Sequence, residues 1–206
     1  METKSAETRQ SSPDSIELRD LATRGYSIGA AQAEQIPALP AIELAAARLL
    51  RGYAPESVLA ETTDERTFAD AARDGRLWVV SAGNTPVGFA LVKMLAHDLP
   101  HLEEIDVDPS HGRRGLGTAL VKSVCEWATD SGYAVLTLTT FRTAPWNLPF
   151  YARMGFVEIP RETLRPELAA VVAEEAHRGL DTHTRTVMAY RCGKPVTREP
   201  RRSLHS

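Results

Sequence analysis

The residues between Leu102 and Thr118, LEEIDVDPSHGRRGLGT, have the types and order needed to hold a phosphate group. An apolar strand of the form Leu-x-x-Ile-x-Val runs into a glycine-rich turn, and the turn opens an amphipathic helix. That arrangement aims several backbone N–H groups at one point and adds the positive end of a helix dipole. Gly115 and Gly117 let the backbone approach phosphate oxygens closely, and Arg113 and Arg114 add positive charge. No Gly-Lys-Ser/Thr follows, so this is not a nucleoside-triphosphatase loop, and the three-glycine spacing of a dinucleotide fingerprint is missing. The plainer alternative is a glycine helix start with two solvated arginines. The buried strand in front of the turn weighs against it.

Hydrophobic periodicity supplies the elements that position this turn. A strand is predicted over His101–Val107 and a helix from Gly115 to Ser131, where Leu116, Leu120, Val124 and Ala128 make an i, i+4 stripe that Gly132 ends. Upstream come a short strand at Gly25–Ala31 and an amphipathic helix carrying Ile36, Leu39, Ile42, Ala46, Leu49 and Leu50 and ending near Gly52. A second helix starts at the capping-box spacing of Thr62–Glu65 and stops at Gly75. Leu77–Ser81 and Val87–Met94 read as a hairpin. Downstream, strands at Ala134–Phe141, Phe156–Ile159 and Thr184–Tyr190 alternate with helices at Leu148–Met154 and Leu168–Arg178. The class is α/β or α+β with a mixed sheet. Residues 1–24 and 193–206 are polar and read as flexible tails around one domain spanning 25–192.

Bulk properties exclude several function classes. With 24 Lys and Arg against 27 Asp and Glu, the net charge of −3 favours neither nucleic acid nor an anionic membrane. Two cysteines, Cys125 and Cys192, make no disulfide framework and no metal spacing. The N-terminal residues lack the apolar segment of a signal peptide, and no window is apolar enough to span a membrane. A soluble, cytoplasmic protein without a metal is expected.

The turn resembles the acetyl-CoA signature of the GNAT N-acetyltransferase superfamily, Gln/Arg-x-x-Gly-x-Gly/Ala. A second stretch, Pro145–Phe156, resembles that family's second signature: Asn147, Tyr151 four residues later, then Gly155-Phe156. The resemblance is specific over roughly residues 76–160. It implies a mostly antiparallel twisted sheet flanked by helices, with splayed central strands and acetyl-CoA as co-substrate. Backbone from Ile105, Asp106 and Val107 would pair with the pantetheine arm. Gly112, Arg113, Arg114, Gly115, Leu116, Gly117 and Thr118 would form the pyrophosphate turn. The family's Gln/Arg position falls on Gly112, so a side-chain contact is lost there. Asn147 would meet the pantetheine, and Tyr151 would serve as the acid beside the thioester sulfur. On residue type alone, Asn147 also suits a helix N-cap, and Tyr151 a packed aromatic. The helix that follows Pro166 is not part of the family's minimal core.

Acyl transfer to an amine needs a base, since deprotonating an alkylammonium of pKa ~10.4 at pH 7 costs about 4–5 kcal/mol. Strict alternation puts His101, Glu103, Ile105 and Val107 on one strand face and Leu102, Glu104 and Asp106 on the other. The resemblance suggests a Glu or His base on this strand. Glu103 is the first candidate, His101 the second, and Glu104 enters if the parity is broken. His97 reads as a surface residue and His111 as part of the turn. Glu43, Arg48, Tyr53 and Trp146 are the candidates for contacting the acceptor. The implied reaction is direct transfer of acetyl to a primary amine, with a backbone N–H near Val107 meeting the oxyanion and no cysteine in the motif elements. A small-molecule acceptor is expected. A protein or peptide acceptor, a non-catalytic acetyl-CoA sensor and a pure interaction module are the alternatives. The resemblance also allows a homodimer.

Overall fold

The computed structural model describes residues 19–193. Seven strands form one sheet: β1 (Tyr26–Ala30), β2 (Leu77–Ala82), β3 (Thr85–Ala96), β4 (Leu99–Val107), β5 (Val135–Phe141), β6 (Val157–Glu158) and β7 (Arg185–Arg191). Their order is β1-β2-β3-β4-β5-β7-β6, and every pairing is antiparallel except β4 with β5. The helices are α1 (Leu39–Ala47), α2 (Glu56–Leu59), α3 (Glu65–Arg73), α4 (Leu116–Asp130), α5 (Asn147–Arg153) and α6 (Pro166–His177). The α/β reading of the sequence therefore holds. The short α2 has no counterpart among the expected elements, and the strand expected at Phe156–Ile159 shrinks to two edge residues, Val157 and Glu158. Among the described residues no helix is long and apolar enough to cross a membrane.

Most of the tail expected over 1–24, and of that over 193–206, lies outside the described residues. The last part of the first is not a tail: residues 19–23 are helical and Leu21 is buried in the main core.

The sheet separates two cores. On one face α4 lays Leu116, Ala119, Leu120, Val124 and Ala128 against Val80, Ala90, Val92 and Leu102. On the other, α1 and α3 bring Leu39, Ile42 and Phe68 onto Val79, Phe89 and Leu91, with Phe68 and Phe89 edge to face at 5.1 Å. Asp64 starts α3 by accepting the Thr67 N–H at 2.9 Å, an N-cap within the capping-box spacing. α6 covers the far end of this second face through Leu168, which packs on Leu99 and Val187.

Two irregularities in β4 decide what the middle of the sheet can do. The register with β3 runs unbroken from Val107↔Gly88 to Glu104↔Leu91, then shifts so that Val92 faces Leu102. Glu103 is the extra residue of a β-bulge. In addition, β4 pairs with β5 only at His101↔Thr137 and Leu102↔Leu138. Beyond Leu102 the two strands part and leave a wedge.

Candidate active site

The glycine turn is built almost entirely from local constraints. The Asp108 carboxylate accepts the Ser110 N–H at 2.8 Å, and Pro109 starts a single 3-10 turn through His111. A Cβ on Gly112 would lie 3.1 Å from the Pro109 carbonyl oxygen, so the missing side chain lets that turn close beneath it. Arg113 (φ 57°) and Gly115 (φ 82°) both take left-handed conformations. For arginine that conformation costs energy, a kind of strain that clusters at functional sites. Gly115 then stands as the N-cap of α4 without a capping side chain. Because the Ala119 N–H makes the bond to Gly115 O at 3.0 Å, the amides of Leu116, Gly117 and Thr118 precede the first helical bond. An anion can take them.

The side chains around the turn hold it from outside. Arg114 donates to the Tyr26 hydroxyl at 2.6 Å and to the Ser110 carbonyl at 3.3 Å. The Tyr26 hydroxyl also lies 3.0 Å from His111 Nδ1, and Arg24 donates to the Arg114 carbonyl at 3.2 Å. Arg114 and His111 therefore brace the turn, whereas Arg113 is exposed. The Leu116 side chain is buried in the core, so within the turn Leu116 has only its backbone amide to offer. Sequence reasoning missed Tyr26 and Arg24, which sit some 85–90 residues from the atoms they hold and carry no local signal.

The backbone of β4 continues this surface into the wedge. Antiparallel pairs alternate between bonded and non-bonded, and the Asp108 N–H donates to Val87 O at 2.8 Å. Counting back, Asp106 uses its backbone groups on β3, while Ile105 and Val107 turn theirs toward the parted β5. Gly88 agrees with this assignment, since a Cβ there would stand 2.7 Å from the Asp106 carbonyl oxygen. Of the three residues expected to offer backbone to the cofactor, Ile105 and Val107 have theirs turned away from β3, whereas Asp106 spends its own on β3.

α5 forms the other wall. Its N-cap is Trp146, so Asn147 is the first helical residue and its side chain does not cap. Tyr151 is buried against Phe150 and Phe156. Burial, then the nearby charges of Asp106 and Glu104, raise its phenol well above the usual range, with Arg185 opposing. Between α4 and α5 runs a groove of about 440 Å³ whose lining includes Thr118, Lys122, Phe150 and Arg153. Gly117 borders Phe150 at its upper end, where an added Cβ would lie 3.6 Å from the ring.

On the opposite sheet face the bulge changes the expected side-chain assignment. Leu102, Ile105 and Val107 share the α4 side, because the extra residue Glu103 resets the alternation. Glu103 is partly exposed and lies 3.7 Å from Lys93, so it is not the inward carboxylate that strict alternation suggested. Glu104 and Asp106 point to the α1 side instead, beside their cross-strand partners Leu91 and Phe89. Burial first, and then the charges of Asp106, Glu43 and Glu103, raise the Glu104 carboxyl well above its ordinary value. Asp106 is pushed up to about 8 by burial and by Glu43. Asp106 Oδ2 is sealed from solvent and has no hydrogen-bond partner among the described residues.

His101 is buried, and its Nδ1 lies 2.9 Å from Thr137 Oγ1, which itself donates to Pro100 O at 3.2 Å. With its one proton so used, the hydroxyl must accept from His101 Nδ1–H. Burial lowers the imidazole pKa to about 4, and a base that weak cannot take a proton from an alkylammonium effectively. Glu43 is buried, with its carboxylate held by the Thr63 N–H at 2.9 Å and hydroxyl at 3.1 Å. Trp146 is 45% exposed and meets Tyr53 edge to face at 5.3 Å. Arg48 is exposed in the turn after α1 and His97 at the β3–β4 turn. A further pair not foreseen from sequence is Arg185 with Glu175 of α6, bonded at 2.5 and 3.0 Å.

Residues 44–156, more than half of the chain, match the model of the acetyltransferase (GNAT) family. The glucosamine 6-phosphate N-acetyltransferase of Trypanosoma brucei brucei is 38% identical over 56 residues, 27% of this chain and 36% of that protein. The streptothricin acetyltransferase of Streptomyces lavendulae is 31% identical over 97 residues, 47% of each chain. The chain thus spans less than half the length of either relative. Among solved structures, the PaiA N-acetyltransferase of Thermoplasma acidophilum in complex with coenzyme A superposes with a TM-score of 0.62 at 14% identity, covering 81% of this chain and 98% of that one. At that identity the likeness is one of fold.

Proposed function

Because the chain belongs to the GNAT acetyltransferase family, we propose that it moves the acetyl group of acetyl-CoA directly to a primary amine of a small molecule. One observation carries this reading: β4 leaves β5 after Leu102 exactly where its bulge begins to turn two carboxylates inward, and the same strand ends in the uncapped amides of α4. A pyrophosphate at Leu116–Thr118, a pantetheine arm along Ile105 and Val107, and a thioester at the closed end of the wedge form one continuous path. The groove bearing Lys122 and Arg153 can receive the nucleotide end. Both curated relatives named above carry small-molecule acceptors in their names, which supports the small-molecule reading.

In the reaction a C–N bond forms, the C–S bond breaks, one amine proton leaves and the departing thiolate is protonated. A carboxylate of ordinary pKa ~4.3 would receive that proton uphill by about 8 kcal/mol, and one held near 8 by only about 3 kcal/mol. Desolvation and like charge raise both half-buried carboxyls, Glu104 and Asp106, which suits them to the base role, Glu104 being nearer the closed end of the wedge. The Tyr151 phenol, held above its normal range, stays protonated at neutral pH. Full transfer to a thiolate of pKa ~8.5 would be uphill, so Tyr151 acts by hydrogen-bonding the developing negative sulfur. A backbone N–H turned into the wedge, from Ile105 or Val107, meets the oxyanion. The test is release of free thiol from acetyl-CoA across a panel of amines. Amine-dependent release supports the reading; acetyl-CoA binding without release by any amine would favour a sensor.

A further inference from the structure

A cavity lies one strand beyond the wedge. The β5 wall of the wedge is Thr139–Phe141, the part of β5 that β4 has left. On its other side that wall pairs with β7, as Thr139↔Val187, Thr140↔Thr186 and Phe141↔Arg185. Val187, Thr186 and Arg185 all line a cavity of about 470 Å³, closed by β6, the turn after it and Val172 of α6. Wedge and cavity therefore share a wall one strand wide, about 4.8 Å.

Arginine supplies much of the polar lining. Arg185 has a side chain only 11% exposed, stacked at 4.4 Å over the Phe141 ring. Its Nε donates to Glu175 Oε2 at 3.0 Å, and its Nη2 to Glu175 Oε1 at 2.5 Å and Thr139 Oγ1 at 2.9 Å. Nη1 makes no bond among the described residues. It is not sealed either, since Asp106 Oδ2 is the one sealed side-chain atom without a partner among them. Its N–H groups therefore reach open space, and Arg185 borders the cavity. Both side-chain bonds of Arg142, to Glu158 at 2.5 Å and to Thr186 at 3.1 Å, use Nη2, so Nε and Nη1 are left over. Arg161, at the rim, spends Nη2 on the Thr182 carbonyl. Between the arginines the surface is apolar: Ile159, Pro160, Val172 and Val187. Spare guanidinium N–H groups beside an apolar floor match a carboxylate on a hydrocarbon chain. Glu158 and Glu162 border the same cavity and would repel a doubly charged phosphate more than a single carboxylate.

We infer that the acceptor amine carries a carboxylate, held in this cavity by Arg185 Nη1 and Arg142, while the amine reaches across β5 into the wedge. This rests on the acyl-transfer reading. Glu175 and Thr139 are positioning residues in this arrangement, because they fix the Arg185 guanidinium with Nη1 left over. One to two strand spacings separate the two ends of the acceptor, about 5–10 Å. An extended chain covers that span in about four to eight bonds. Glycine is too short to reach both ends.

The experiment is calorimetry on the full chain, first with CoA and then, at saturating CoA, with 6-aminohexanoate, 6-aminohexanamide, hexylamine and glycine. 6-Aminohexanoate is expected to bind at least about 10-fold more tightly than its amide or hexylamine, the scale of one hydrogen bond to a charged group, with glycine weakest. That ratio should fall toward one in Arg142→Gln. It should fall likewise in Arg185→Lys, which keeps a cation beside Glu175 but has no Nη1. Melting temperatures establish that each variant is folded; Arg142, half exposed, is the one whose replacement the fold tolerates more easily. Equal affinity for 6-aminohexanoate and its amide, or an undiminished ratio in either folded variant, overturns the inference. Absence of CoA binding would instead sink the acyl-transfer reading, and the same titrations into the CoA-free chain would then decide the carboxylate site by the same two criteria.

Discussion

The proposed cofactor turn and the proposed acceptor face are joined by one strand, yet they are satisfied in opposite ways. Around the turn the side chains are spent: Asp108 on Ser110, Arg114 and His111 on Tyr26, Arg24 on the Arg114 carbonyl. What remains available is backbone, the amides of Leu116 to Thr118 and the wedge-facing groups of Ile105 and Val107. On the proposed acceptor face the backbone of Asp106 is paired with β3 and Glu43 is held by Thr63, and what remains available is side chain: the carboxyls of Glu104 and Asp106. A pyrophosphate and an amide-rich arm are the same in every acetyl-CoA, and a backbone cradle that tolerates side-chain change suits them. An acceptor must be told from other amines, which takes side chains whose charge and reach differ from chain to chain.

The contrast can be broken at either end. The largest effect is expected from Gly117→Trp, which fills the space beside Phe150. Acetyl-CoA binding should fall by about 100-fold or more, the equivalent of nearly 3 kcal/mol; micromolar binding by a folded variant would show that the pyrophosphate sits elsewhere. Next comes Glu104→Gln, expected to lower kcat/KM by about 10²–10³ with acetyl-CoA affinity retained, within the range of a lost general base. The acid limb of its pH profile should flatten, because activity in the parent rises as the raised carboxyl ionises. A parent-like profile would return the base role to another group. Tyr151→Phe should lower kcat about 10–100-fold, the worth of one hydrogen bond to a developing anion, and leave acetyl-CoA affinity near the parent's. Unchanged turnover removes it from the chemistry. The smallest effect belongs to Tyr26→Phe, which deletes the hydroxyl shared by Arg114 and His111. Loss of one such bond is worth about 1 kcal/mol, so acetyl-CoA affinity should weaken several-fold, more than kcat falls. Equal losses in both would show that the brace reaches beyond the turn.

The same division decided how much was legible in the sequence. Glycine spacing, helix stripes and strand alternation are local signals, and they located the turn, α4, the hairpin of β2 and β3, and α5. The bulge was also written in the residues: Leu102, Ile105 and Val107 are spaced three and then two apart, one residue too many for strict alternation. Reading that stretch with period two put Glu103 inward and Glu104 outward, the reverse of what the register gives. Asn147 was placed at the N-cap from type alone, whereas the helix begins at Asn147 itself and Trp146 takes the N-cap position. Tyr26 on β1, Glu43 clasped by Thr63, and Glu175 of α6 gripping Arg185 arrive through tertiary packing. No periodicity announces a residue that works across the fold.

Amide chemical shifts recorded while acetyl-CoA is added to isotopically labelled protein test the central claim most directly. The account predicts saturable changes concentrated at Ile105, Val107, Leu116, Gly117 and Thr118, with β1 amides beyond Tyr26 little affected. Binding whose largest changes fall outside β4 and the start of α4, or no binding at all, would contradict it.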